Sequence, residues 1–162
     1  MSVQQDSLSQ SANIVQQALD TFGLDFHVQE LPGSTRTASE AARAIGCHIG
    51  QIAKSLVFRF ERSGEPLLVI TSGVNRVDVA LLGGQLGEAI KIAEAEFVRE
   101  KTGFAIGGVP PLGHVTPLRT ILDQDMMQYG EIWAAAGTPH AVFRLTPEEL
   151  IRITGGERMR VC

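Results

Sequence analysis

Cysteine is scarce: the 162-residue chain holds two, Cys47 and Cys162. They make neither a disulfide framework nor a metal-spaced cluster, and a reducing cytoplasm is the expected setting. The four histidines, His27, His48, His114 and His140, show no His-x-x-x-His spacing, and no Cys-x-x-Cys accompanies them. No zinc, other metal or cofactor is therefore expected. Positive charge is in deficit, with 14 Lys and Arg against 18 Asp and Glu and a net charge of −4. Broad binding to a long nucleic acid needs a basic face, so DNA is not an expected partner, although a contact with one short end stays open. Long hydrophobic runs are missing: Pro66–Ile70 is far too short to span a bilayer. Met1–Gln10 has neither the basic nor the apolar segment of a secretory signal, so no membrane role is expected. The chain also lacks a Gly-x-Ser-x-Gly elbow, a P-loop ending and a dinucleotide fingerprint.

What is present reads as one domain over residues 1–162, of size suited to a single core. Apolar spacing predicts a helix over Asp6–Phe22, stopped by Gly23. Asp25–Leu31 reads as a strand, and Thr37-Ala38-Ser39-Glu40 as a capping box opening a helix through Ala44. A strand from Lys54 to about Glu61, half-buried by its alternation, turns at Ser63-Gly64 and returns as Pro66–Thr71, whose unbroken apolar run needs cover on both faces. Asn75 or Asp78 caps a helix across Val79–Leu82 that Gly83-Gly84 should end. Ala89–Ala93, Phe104–Ile106, Leu118–Leu122, Ile132–Ala136 and His140–Leu145 read as strands. Glu94–Thr102 and a Thr146-capped segment ending at Gly155-Gly156 read as helices. The expectation is an α+β (mixed α/β) fold: a mixed, curled sheet of about seven or eight strands with about four to six helices.

Two stretches stand out. Gln51–Phe58 carries Lys54 beside an apolar strand, and Gly107–His114 is a stiff loop rich in glycine and proline. A lysine in such a place most often snorkels to water, and such a loop is often only a connection. Facing one another, a fixed cation and free loop N–H groups would suit a phosphate or a developing oxyanion. Ser72 reads as a pocket-shaping hydroxyl, Cys47 as buried filler, and His140 and His114 as histidines of structural or acid–base use.

Four segments, Ser34–Ala42, Gly50–Phe58, Thr102–His114 and Ala136–Leu145, together resemble the YbaK/prolyl-tRNA-synthetase-associated family of aminoacyl-tRNA editing domains. The resemblance implies a free-standing, trans-acting deacylase that hydrolyses the ester of mischarged tRNA, chiefly tRNA-Pro carrying a small amino acid. It assigns Lys54 to the phosphate of the terminal adenosine and Gly107 to a backbone N–H near the scissile ester; Gly108 beside it is read as a second oxyanion donor. His140 is the candidate for a histidine that some branches use. Ser34, Thr35, Arg36, Ser72, Pro110 and Gly113 are the candidate substrate-binding positions. The implied partners are the acceptor end of a mischarged tRNA, with prolyl-tRNA synthetase or an elongation factor as possible helpers. An aminoacyl ester is already activated, so orientation, a held water and oxyanion stabilisation suffice without a metal or a strong nucleophile. Because the chain shows no dedicated nucleophile or base, a non-catalytic module that binds an aminoacyl-adenosine or a nucleotide is the alternative. A thiol enzyme using Cys47 is a remote third.

Overall fold

The computed structural model describes residues 8–162. It is a mixed α/β fold with one eight-stranded sheet and five helices. In chain order these are α1 (Gln10–Asp20), β1 (Gln29–Glu30), α2 (Ala38–Ile45), β2 (Ile52–Phe60), β3 (Pro66–Ser72), α3 (Val79–Leu86), β4 (Ile90–Ile92), α4 (Ala95–Thr102), β5 (Arg119–Asp123), β6 (Ile132–Ala135), β7 (Ala141–Leu145), α5 (Pro147–Thr154) and β8 (Glu157–Met159). The strands lie in the order β1-β7-β6-β2-β3-β5-β8, with β4 added beside β2.

Strand β2 is the axis of the sheet. It pairs antiparallel with β3 from Ala53 to Arg59, and this fills one of its edges. Its other edge is shared: Ile52 and Ala53 run parallel to Trp133 and Ala134 of β6, and Phe58–Phe60 run antiparallel to β4. Side chains alternate across the strand. Ala53 and Val57 join the main core with α1, α4 and α5, whereas Ile52 packs against α2 and Phe58 and Phe60 against α3. The expected half-buried strand is thus covered on both faces around Val57 and Phe58. Leu67, Leu68, Val69 and Ile70 of β3 are fully buried, as their unbroken run required.

Several expected boundaries shift for local reasons. Of the first expected helix, Asp6 and Ser7 lie outside the described residues. Leu8 precedes the helix, because the Ser9 hydroxyl accepts from Ala12 N–H and caps it there. In Asp25–Leu31 only Gln29 and Glu30 pair with a strand. The Gln16 side chain takes the place of a strand partner, donating to the Phe26 carbonyl and accepting from Val28 N–H. The Thr37–Glu40 capping box forms as expected, and Asp78 rather than Asn75 caps α3. That helix runs through Gly83-Gly84 to Leu86. A Cβ on Gly83 would lie 3.1 Å from the Glu88 carbonyl oxygen, so glycine lets the chain return closely over the helix. Phe104–Ile106 is not a strand. Phe104 N–H donates to Thr102 Oγ1 and Gly108 N–H to the Ala105 carbonyl, and residues 104–118 form an irregular span. Strand β8 was not expected, being short and polar.

Candidate active site

The divided edge of β2 creates the site. Between β6 and β4, residues Lys54–Leu56 have no strand beside them on that edge. A cavity of about 360 Å³ opens in this gap. Lys54, Ser55 and Leu56 form one wall, and Ile106, Gly107 and Val109 of the irregular span form another. Thr35, Arg36, Thr37 and the first turn of α2 close a third side, and Trp133–Ala135 of β6 and Val142 of β7 a fourth. Lys54 shares the face of Ile52 and Phe58, so it emerges between the α2 and α3 clusters. Its Nζ donates to the Asn75 carbonyl at 3.4 Å, a long bond. Burial, followed by the positive charge of Arg76, pushes its pKa below the ordinary lysine value.

The structure brings four of the expected residues to the cavity: Lys54, Gly107, Thr35 and Arg36. Gly107 must be glycine twice over, since φ is +95° and a Cβ would lie 2.8 Å from Arg36 Cγ. Its N–H has no hydrogen-bond partner among the described residues. Thr35 is buried, and its N–H and hydroxyl both donate to the Pro139 carbonyl, at 2.6 and 2.9 Å.

The other expected residues lie elsewhere. Gly108 does not line the cavity. Its N–H is engaged by Ala105, its carbonyl accepts from Gly137 N–H at 2.9 Å, and a Cβ would meet the Thr138 backbone at 2.8 Å. It seats the irregular span against the β6–β7 turn and presents no free donor. His140 is exposed, and its Nδ1 lies 3.0 Å from the Gly33 carbonyl oxygen. It ties the β6–β7 turn to the turn before Thr35, outside the cavity lining. Ser34 bonds to Glu40 and accepts from Arg36 N–H. Ser72 is fully buried and donates to the Gly50 carbonyl. Pro110 accepts a 2.7 Å bond from His114 Nε2, and Gly113 packs near Ala18 of α1. Burial lowers the His114 pKa, opposed by that bond. Burial raises the Cys47 thiol, the opposite of what a nucleophile needs. No carboxylate or histidine lines the cavity, and among the described residues no cluster suited to a metal is present.

Sequence reasoning missed two features. Ser55 Oγ and Trp133 Nε1 are the buried side-chain polar atoms without a hydrogen-bond partner among the described residues, and both residues line the cavity. Asp123, 1% exposed, is the second. It anchors the loop that carries Asn75, through bonds that span about fifty residues of sequence and leave no local pattern.

Comparison with known proteins places the chain. Residues 33–153 match the family model for the aminoacyl-tRNA editing domain. YwhH of Bacillus subtilis, uncharacterised, is 32% identical over 123 residues, 76% of this chain and 78% of that protein. EbsC of Enterococcus faecalis is described as a candidate Cys-tRNA(Pro)/Cys-tRNA(Cys) deacylase. It is 26% identical over 122 residues, 75% of this chain and 74% of its own. A crystal structure described as that of a candidate trans-editing enzyme for prolyl tRNA synthetase is 52% identical, with a TM-score of 0.90 over 96% of this chain and 98% of that one. The cavity with its lysine and its glycine loop is therefore set in a chain that belongs to the aminoacyl-tRNA editing domain family.

Proposed function

We propose that the protein is a trans-acting deacylase for mischarged tRNA, with tRNA-Pro bearing a small amino acid as substrate. The observation that carries the reading is the meeting on one cavity of Lys54 and Gly107, a glycine whose N–H is unengaged among the described residues. Lys54, with Arg76 nearby, anchors the 3′-terminal phosphate through the ammonium donors that the long bond to Asn75 leaves free. Water adds to the ester carbonyl, Gly107 N–H stabilises the oxyanion, and the ribose oxygen leaves with a proton. Because the cavity walls hold no carboxylate or histidine, the reading assigns the positioning of water to the substrate's own ribose hydroxyl. Prolyl-tRNA synthetase or an elongation factor would deliver the charged tRNA in the cytoplasm, with the whole chain acting as one domain.

The same absence of a wall-borne base favours the alternative of a binding module. One experiment separates them: a panel of mischarged tRNAs incubated with excess wild-type protein and with Lys54→Ala. Release of the amino acid by wild type, lost in Lys54→Ala, supports the deacylase. Saturable binding of a non-hydrolysable aminoacyl-adenosine without any release supports the binding module.

A further inference from the structure

Lys54 lines the cavity, and its ammonium is tied by one bond to the loop at Asn75. We infer that Asp123 and Asn75 are a positioning pair that sets Lys54, an inference that rests on the deacylase reading. Asp123, at the end of β5, is a buried carboxylate with no salt bridge among the described residues. Burying a charge without a counter-charge is costly unless its oxygens are well bonded. Here Oδ2 accepts from Thr71 Oγ1 at 2.9 Å, Ser72 N–H at 3.0 Å and Asn75 Nδ2 at 2.8 Å, and Oδ1 accepts from Asp125 N–H at 2.9 Å.

Asn75 is fixed in turn. Its amide nitrogen also donates to Asp125 Oδ2 at 2.8 Å, and its backbone N–H donates to the Ser72 carbonyl at 2.9 Å. With its donors engaged, the residue presents its backbone carbonyl, and that carbonyl receives Lys54 Nζ. Thr71, which donates to Asp123, is also the cross-strand partner of Lys54. One buried carboxylate therefore fixes both the strand opposite the lysine and the loop that receives its ammonium. A surface-loop clamp would need neither its burial nor this alignment.

The test is a double-mutant cycle on single-turnover deacylation. Asn75→Ala keeps the backbone carbonyl and removes both amide bonds. It should slow deacylation by about 10-fold in the wild-type background and by less than about 2-fold in Lys54→Ala, because residues acting through one group are not additive. Equal losses in both backgrounds, or no loss, would overturn the pair. Asp123→Asn, checked for folding by its melting curve, should repeat the pattern, and if it does not fold the Asn75 cycle decides alone. If wild type releases no amino acid from any tRNA, the deacylase reading fails by itself. The pair is then judged by the Lys54 Cε signal in carbon NMR, expected to shift in Asn75→Ala; an unmoved signal contradicts it.

Discussion

Two polar regions flank Lys54, and they are built in opposite ways. Beneath the loop at Asn75, the Asp123 carboxylate is fully buried and accepts four hydrogen bonds. In the cavity lining, Ser55 Oγ, next to Lys54 on β2, and Trp133 Nε1 of β6 are equally removed from solvent and bond to nothing among the described residues. The first region is complete once the chain has folded. The second is incomplete, and an unpaired buried polar group costs about 1–3 kcal/mol. The contrast separates a satisfied scaffold beneath the loop from unpaired groups in the residues that line the cavity.

The largest expected effect is catalytic. Lys54→Ala should reduce deacylation by at least about 10²-fold, the scale of misplacing a substrate by about 1 Å. It should leave the melting temperature nearly unchanged, since a half-buried lysine that is harder to protonate than usual adds little to the fold. Next comes Asp123→Ala, which strands the four donors. It should lower stability by about 3 kcal/mol in denaturant titration. Ser55→Ala and Trp133→Phe should behave differently. Each removes an unpaired buried atom, so stability should stay within about 1 kcal/mol of wild type in the same denaturant titration. Equal destabilisation by all three substitutions would erase the distinction.

The smallest effect concerns the stiff loop. Folding lowers the pKa of His114, so the unfolded chain binds more protons between that lowered value and the unfolded value of about 6.5. Stability should therefore fall as pH drops below about 6.5, and His114→Gln, which cannot titrate, should lose this part of the acid sensitivity in melts run across pH.

Elements with a local cause were legible in the sequence: the Thr37–Glu40 box, the Thr146 cap and the β2–β3 hairpin all form as expected. Lys54 and Gly107, which stood out in the sequence, line one cavity. What escaped was set by distant chain. The split edge of β2 exists because β6 and β4 each cover only part of it, and no pattern in residues 52–60 reports its neighbours. His140 looked suited to acid–base work, but only the fold shows its ring turned to Gly33. Gly108 looked like a second donor, but its N–H closes a turn onto Ala105. Asp123 carries no local mark, because its partners Thr71, Ser72 and Asn75 lie about fifty residues earlier.

The sole tryptophan of the chain gives the most direct measurement. The account predicts that its indole N–H signal in nitrogen–proton NMR titrates saturably with a non-hydrolysable aminoacyl-adenosine analogue, in step with the Lys54 side-chain signal. An analogue that leaves both signals in place at saturating concentration would contradict the claim that this cavity receives the charged end of tRNA.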